Sequence, residues 1–342
     1  MINDVGELLL GAPAMPRTPV IRSMLAGAGG YLPARVLDNE ELARSVDTSD
    51  AWIRERTGIR QRHIAGPDET ACRMGAAAAR EALASAAVAP AAIGAVIVAT
   101  ATPDQAFPAT AVAIQHALGI PAGFAFDVSA ACTGFIYALA VADAFIRAGQ
   151  IRSALVIGTE VYSRIPDWQD RSTCVLFGDG AGAVLLTAGD GTGASTDHGL
   201  LSTHLHSDGA QADILYVDGA VGRHDRPGRL RMNGREVFRH AVTRMAEVVD
   251  EALAANNLTH ADVDWLVPHQ ANLRIIAAMG RRLGLPPERV VVTVDRHANT
   301  SAASIPLALA EALADGRIRP GHLVLMEALG GGLTWGSALL RV

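Results

Sequence analysis

The sequence predicts an α/β protein built from two similar halves, and three observations predict it. Apolar runs of strand length alternate with longer segments of helical apolar spacing along most of the chain, the pattern of strands and helices stacked in layers. Half of the 342 residues are apolar and 19% are charged, with no long polar tract, so the chain folds around a sizeable core. A stretch reading DVSAACTGFIYALAVADAFIRAGQIRSALVIG also returns later as DRHANTSAASIPLALAEALADGRIRPGHLVLME. Each has an Asp, a small-residue loop, an apolar helix closed by Gly149 or Gly316, a following Ile-Arg, and a second apolar strand. Any two strand–helix–strand units look broadly alike; the shared Gly-x-Ile-Arg favours true duplication. Cys132 lies 17 residues before Gly149 and Asn299 lies 17 before Gly316, which places them at equivalent helix starts.

In chain order, residues 1–20 read as a loose N-terminal extension. They are acidic at the start, and their apolar run, Leu8 to Leu10, is too short for a signal peptide or a membrane span. Ile21–Gly27 is the first strand and Asn39–Arg44 a short helix. Thr48–Arg62 holds a helix capped by Thr48 or Ser49, with Trp52 among Arg54, Arg56, Arg60 and Arg62. That grouping suits an aromatic base stacked on Trp52 with phosphates on the arginines, and equally a solvated helix packed by its Trp. Thr70–Ala87 is an Ala-rich helix, Ala95–Thr100 a buried strand, Thr110–Leu118 a helix and Phe124–Val128 another buried strand. Ala154–Gly158, Cys174–Phe177 and Gly182–Leu186 follow as strands. The glycines of GDGAG (178–182) lack the strand-to-helix setting and later acidic residue of a dinucleotide site, so they read as tight turns.

Gly189–Gly193 (GDGTG) marks the boundary, giving halves of 21–190 and 191–342. His204 and His206 alternate as on a strand; no third metal ligand is evident nearby, so they read as strand-face residues. Asp218–Arg231 is a polar loop, Arg235–Asn256 a long helix, Val263–Val267 a strand and Arg274–Leu283 a helix. Val290–Val294 is a strand, Ser304–Leu313 a helix, and Leu323–Glu327 and Ser337–Val342 are strands flanking LGGGLTWG.

Composition narrows the chemistry. A net charge of −6 argues against nucleic acid as a main partner. All 29 basic residues are arginine, which excludes Schiff-base, pyridoxal-phosphate and Walker-type lysines. Three cysteines (Cys72, Cys132, Cys174) without metal-type spacing fit a reducing cytoplasm better than a disulfide framework.

Cys132 sits where a strand and a small-residue turn deliver the chain into a helix. Unpaired N–H groups and partial positive charge at a helix start stabilise a thiolate, and small neighbours let a substrate approach. A buried, inert thiol fits the same stretch. His269 follows the strand WLVP, at a strand end where α/β sites form, although a lone His is often structural. Asn299 is an uncharged donor suited to an enolate or oxyanion, or to a helix cap. Gly330, Gly331 and Gly332 make a bare backbone turn that offers N–H groups to a developing oxyanion, or simply joins two strands.

Taken together, AACTGF around Cys132, PHQAN (268–272), ANTSAAS (298–304) and EALGGGLTWGSALLR (327–341) resemble the β-ketoacyl-acyl-carrier-protein synthase III family of bacterial type II fatty acid synthesis. WIRERTGI (52–59), AFPATA (106–111) and DRSTCVLFGDGAGAV (170–184) fit it too, and the resemblance runs from about residue 21 to 342. It implies a thiolase-like fold of two halves in an αβαβα five-layered arrangement, a cytoplasmic homodimer, and no cofactor. It implies Cys132 as nucleophile toward an acyl-CoA, with His269 and Asn299 stabilising the enolate left when malonyl-ACP loses CO₂. The backbone N–H groups of Cys132 and Gly331 form the oxyanion hole in that family's pattern. By the same resemblance Thr48, Trp52, Arg56, Arg171 and Asn272 bind CoA, and Leu329 lines the acyl pocket. Phe107 floors the partner's acyl pocket, and Arg239, Arg274, Arg281 and Arg282 dock the acyl carrier protein. Arg274 and Arg281 are seven apart and share one helix face. Leu329 and Leu333 stand where the family often has Phe, and Ala298 where it often has Gly, which opens the question of starter preference.

Relatives that load other starters for secondary metabolites or biotin share this chemistry. A thiolase proper needs a second active-site cysteine, for which Cys174, in an apolar strand, is a poor candidate. A cysteine hydrolase also uses Cys, His and Asn, but lacks the duplication and has its cysteine near the N-terminus.

Overall fold

The computed structural model describes residues 20–219 and 228–342. The extension proper, residues 1–19, and part of the polar loop, 220–227, lie outside the described residues.

The chain runs through β1 (Val20–Tyr31), β2 (Val36–Asp38), α1 (Asn39–Leu42), α2 (Asp50–Thr57), β3 (Gln61–His63) and α3 (Ala71–Ser85). It continues with β4 (Ala95–Ala99), α4 (Thr110–Ala117), β5 (Phe124–Val128), α5 (Gly134–Arg147), β6 (Ser153–Val161) and β7 (Asp179–Gly191). The remainder is β8 (Gly199–Ser207), β9 (Leu215–Val217), β10 (Leu230–Met232), α6 (Gly234–Ala255), β11 (Trp265–Pro268), α7 (Leu273–Leu283), α8 (Val294–His297), α9 (Ser304–Ala314), β12 (Leu323–Gly330) and β13 (Thr334–Arg341).

Two sheets organise these elements. One has the order β1-β7-β6-β4-β5, the other β11-β12-β13-β8. Helix α5 packs on strands of both sheets, and α9 lies with it between them, while α3 covers the outer face of the first sheet and α6 that of the second. The result is five layers, helix–sheet–helix–sheet–helix. One core cluster joins the central helices to both sheets through Phe135, Ile136, Leu139, Ile305, Leu309, Val156 and Val324. Each such fully buried large side chain contributes about 1.5–3 kcal/mol by leaving water.

The duplication extends to sheet register. Strand β6 pairs β4 in parallel with Gly158 opposite Ala99, and β12 pairs β11 in parallel with Leu325 opposite Leu266. Each residue of the second pair lies 167 positions beyond its partner in the first, the same offset that separates Cys132 from Asn299 and Gly149 from Gly316. Gly149 and Gly316 close α5 and α9 in the left-handed region, with φ of 71° and 76°.

Local caps set most helix starts. Ser49, rather than Thr48, caps α2 by accepting from Trp52 N, Thr70 caps α3, and Asn272 caps α7. Both central helices lack a side-chain cap and instead continue from a 3-10 turn, whose carbonyls take their first N–H groups: Gly134 N donates to Ala131 O and Ser304 N to Ser301 O.

Four expectations need correction. Cys174–Phe177 is a run of turns with one bridge, Phe177 to Asn299, not a strand. The glycines of GDGAG lie in and just before β7 rather than in tight turns. A Cβ at Gly182 would stand 2.5 Å from Leu307 N, and one at Gly178 2.7 Å from His297 O, so these glycines let α9 and its lead-in press onto the strand. Val290–Val294 forms a single bridge to Leu266, after which the buried Gln270 side chain takes over. Its Nε2 donates to Val291 O, and its Oε1 accepts from Thr293 N and Val294 N, where a strand ladder would have run. Phe124–Val128 is a strand but is half-buried along its length, because β5 is the edge of its sheet. His204 and His206 do occupy a strand, and both bond the Glu251 carboxylate, at 3.1 and 2.6 Å. Among the described residues no group of three His, Cys, Asp or Glu is arranged to hold a metal ion.

Candidate active site

A cavity of about 1200 Å³ opens between the halves. Its walls include Cys132, His269, Asn299, Leu329 and Gly331, together with Trp52, Arg56 and Asn272 from the proposed CoA set. The sequence-derived triad is therefore gathered into one space from three separated stretches.

Cys132 lies in a 3-10 turn, Ala131–Thr133, that runs directly into α5, and it is only 5% exposed. Ala131 holds a φ of +45°, an uncommon conformation for a residue with a Cβ. Gly330 is required here, since a Cβ on it would stand 2.7 Å from Cys132 N. The glycine turn thus lies against the Cys132 amide, with Gly331 next in line on the cavity wall. The helix start does not leave a ready thiolate. Burial pushes the Cys132 thiol up to about 12, against the helix-start expectation, with opposing help from the Ser301 hydroxyl and from its own backbone N–H. At neutral pH the sulfur rests as a thiol, so any attack by it requires that its proton leave.

His269 stands immediately after β11 and is 4% exposed. Its amide donates to Glu327 O at 2.8 Å. Burial pushes its pKa down to about 4, so the ring is neutral at pH 7. Nδ1 lies 2.7 Å from Ser304 Oγ, and that oxygen accepts from Gln270 N at 3.3 Å. A hydroxyl already accepting one N–H is best satisfied by donating its own proton, here to Nδ1. The network therefore assigns the proton to Nε2, and His269 presents an N–H donor.

Asn299 is held by its backbone between Leu176 O and Gly178 N. Its Oδ1 accepts from Ser301 N at 2.8 Å, which leaves the Nδ2 protons as what it offers the cavity. Two neutral donors near a buried sulfur suit a developing enolate or oxyanion.

The other sequence-derived residues are distributed more widely. Asn272 bonds Arg56 O at 3.0 Å. Arg56 and Arg171 both lie over the Trp52 ring, at 4.5 and 5.3 Å from its centre. Arg171 is exposed and tied to Asp47, an exposed pair worth about 0–1 kcal/mol, so a ligand base displaces it at little cost. Thr48 is half-buried and outside the cavity walls. Phe107 is 85% exposed and is not among the cavity walls. Arg274 lies at the cavity over Phe238, and Arg281 is exposed further along α7; neither forms an ion pair among the described residues. Arg239 pairs with Glu236, and Arg282 with Asp250.

Several residues escaped the sequence reading: Ser304 behind His269, Arg235 and Phe238 on the cavity wall, and the buried acids Glu160 and Glu327. The two acids carried a signal, since they are separated by the same 167 positions as Cys132 and Asn299.

Known proteins match this chain in sequence and shape. A family model described as 3-oxoacyl-[acyl-carrier-protein (ACP)] synthase III matches residues 126–209, and one described as the C terminal of that synthase matches 253–342. β-Ketoacyl-[acyl-carrier-protein] synthase III of Acidiphilium cryptum is 72% identical over 94% of this chain and 99% of its own length. The same-named protein of Granulibacter bethesdensis is 64% identical over 94% and 99%. The crystal structure of 3-oxoacyl-[acyl-carrier-protein] synthase III from Aquifex aeolicus superposes with a TM-score of 0.87 at 47% identity, covering 94% of this chain and all of that one.

Proposed function

From the premise that this chain belongs to the β-ketoacyl-[acyl-carrier-protein] synthase III family, we propose how its residues divide the work of an initiating condensing enzyme of fatty acid synthesis. The protein is an acyltransferase with the thiolase-type fold; the hydrolase reading is not favoured. Cys132 attacks the thioester of an acyl-CoA starter, for which acetyl-CoA is the first choice, and CoA leaves. Malonyl-ACP then binds and loses CO₂. His269 Nε2–H and the Asn299 amide hold the enolate oxygen while its carbon attacks the acyl-Cys132 carbonyl. The amides of Cys132 and Gly331 receive the oxyanion. Loss of CO₂ drives the condensation, and no step calls on a metal or cofactor.

The observation that carries this reading is the meeting in one cavity of a buried thiol before α5, a neutral amide at the matching position before α9, and the neutral His269 at the end of β11. Trp52, Arg56, Arg171 and Asn272 support CoA binding at the cavity's rim, and we include Thr48 on the family resemblance alone. Arg274 and Arg281 support docking of an acidic carrier protein, with Arg239 and Arg282 contributing after exchanging their present partners. A homodimer is supported by the apolar, half-buried edge strand β5 and by the exposed Phe107, which suits a pocket in a second copy. A cytoplasmic location fits the three free cysteines and these substrates; among the described residues no helix is long and apolar enough to cross a membrane.

Intact-protein mass after exposure to acetyl-, branched, medium-chain and dicarboxylic acyl-CoAs, followed by malonyl-ACP, tests the reading. Acetylation at Cys132, absent in Cys132→Ala and discharged as acetoacetyl-ACP, is expected. Labelling only by another starter moves the protein to a different pathway, and no labelling by any thioester overturns the mechanism.

A further inference from the structure

Beside the nucleophile lies a buried carboxyl that the condensation above leaves unused. Glu160 is fully buried near the end of β6. Thr102 Oγ1 donates to its Oε2 at 2.6 Å and Thr100 Oγ1 at 3.3 Å, and the Ala101 N–H reaches both oxygens at 3.1 and 3.2 Å. Alternate strand residues face the same side, so Glu160 shares the face of Gly158. A Cβ on Gly158 would stand 2.2 Å from Ala302 O, so that face abuts the Ser301–Ala303 turn. Ser301 is fully buried, holds a φ of +50°, and has a hydroxyl with no hydrogen-bond partner. The groups around that hydroxyl are the Cys132 thiol, the Glu160 carboxyl and the Tyr162 phenol, and it favours the ionised form of each. A hydroxyl near both a buried thiol and a buried carboxyl, and without another partner among the described residues, can turn to carry a proton from one to the other.

Building on the reading of Cys132 as nucleophile, we propose that Glu160 receives the thiol proton through Ser301 during acylation and returns it at the end of condensation. As Sγ bonds to the thioester carbon, the S–H bond breaks. Ser301 Oγ takes that proton and passes its own to the Glu160 carboxylate. The bond to the CoA sulfur then breaks, and the departing thiolate is protonated by solvent. In the second half-reaction the enolate carbon bonds to the acyl carbon and Sγ leaves as a thiolate. Glu160 gives the proton back along the same path. One solvent proton is consumed per turnover, matching the carboxylate charge lost as CO₂. Glu160 is thus a positioning residue for the proton, acting through Ser301.

The ionisation of these groups suits the path. Burial pushes Glu160 up to about 7, while hydrogen bonds from Thr102, Ala101 and Thr100 and the nearby Ser301 hydroxyl restrain it, so both its forms are populated at neutral pH. Burial, then the charges of Cys132 and Glu160, hold the Tyr162 phenol well above its usual range and keep it protonated. Among the described residues Glu160 has no ion-pair partner that would hold it permanently charged.

Rapid-quench acylation of the full-length protein by acetyl-CoA, followed by intact mass across pH 5–9, tests this. The wild-type rate should rise through an inflection near the Glu160 value. Glu160→Gln should be about 100-fold slower at pH 8 and show no inflection. Ser301→Ala should be about 10-fold slower and keep it. A folded Glu160→Gln protein with wild-type rate and profile overturns the proposal. Should that variant fail to fold, Thr102→Val keeps the carboxyl but removes its 2.6 Å hydrogen bond. The inflection should then move up, and an unmoved one overturns the proposal. Failure of every acyl-CoA to label the wild-type protein would instead overturn Cys132 as nucleophile.

Discussion

Cys132 and Asn299 stand at matching points of the two halves. Each is preceded by an alanine with positive φ, Ala131 at +45° and Ala298 at +58°, and each leads through a 3-10 turn into a central helix without a side-chain cap. Thr133 and Thr300 follow them in turn. The backbone device is shared, and the side chains differ. One half presents a buried thiol; the other presents only neutral donors. The 167-residue offset also matches Thr102 with His269 and Glu160 with Glu327. Thr102 hydrogen-bonds its acid, whereas His269 has turned its ring to Ser304. Duplication supplied two helix starts at one cavity, and in the proposed reading divergence at a few positions made one a nucleophile and the other an enolate cradle.

Removing one member from each half breaks this division most severely. Cys132→Ala should abolish acyl-enzyme formation and lower turnover by on the order of 10⁴-fold or more, as loss of a nucleophile does elsewhere. Asn299→Ala should still acylate from acetyl-CoA but lose about 10²–10³-fold in condensation, because it removes a donor to developing charge. Single-turnover mass spectrometry separates the two half-reactions. Equal loss of acylation in both variants would break the division of labour.

The paired acids sharpen the comparison through pH. Burial pushes Glu327 up to about 8, and among the described residues neither of its oxygens has a hydrogen-bond partner; Glu160, held by Thr102, Thr100 and Ala101, reaches only about 7. A carboxyl raised in the folded state binds its proton more tightly there than in the unfolded chain. Stability therefore falls as pH rises from the unfolded value near 4.5 to about 8, then levels. Glu327→Gln removes this loss. Denaturant melts should show the variant gaining on wild type between pH 5 and pH 8, with no change in the difference below pH 4.

The arginines distinguish the halves on the outside. Helix α7 carries Arg274, Arg281 and Arg282, while its counterpart α4, TAVAIQHA, carries no arginine. Arg274→Ala with Arg281→Ala should raise the KM for malonyl-ACP about 10-fold, more at low salt, and leave acylation by acetyl-CoA unchanged. Titrating each half-reaction against its own substrate checks this.

How much of this was legible in the sequence followed a physical rule. The duplication and most elements showed because they rest on local spacing: apolar runs, small residues at Cys132, helix-ending glycines; Cys132, His269 and Asn299 as a set came from the family resemblance. Cys174–Phe177 and Val290–Val294 misled because an apolar run of strand length does not reveal whether a neighbouring backbone is there to pair with it. At 291–294 the Gln270 side chain takes that role from 21 or more residues away. Ser301, Ser304 and Glu160 were illegible one at a time, since their meaning comes from burial and from partners distant in sequence. The family resemblance marked Ala298 as unusual; its backbone geometry explains why.

Ala298 supplies the smallest test. Its φ of 58° with ψ of −159° lies in a region that only glycine enters freely, and such strain costs on the order of 1–3 kcal/mol. The site tolerates it because Ala298 is fully buried and its neighbour Asn299 is pinned by Leu176 O and Gly178 N. Ala298→Gly should relieve the strain while adding about 0.4–1 kcal/mol of unfolded-state entropy, for a net gain near 1 kcal/mol in denaturant unfolding. Ala131 shares the positive φ, at +45°. Ala131→Gly should therefore also gain stability, and the ratio of the two gains compares the strain of the two turns. If the two substitutions gave equal gains, the two turns would carry equal strain, and the difference between the halves would lie in their side chains alone.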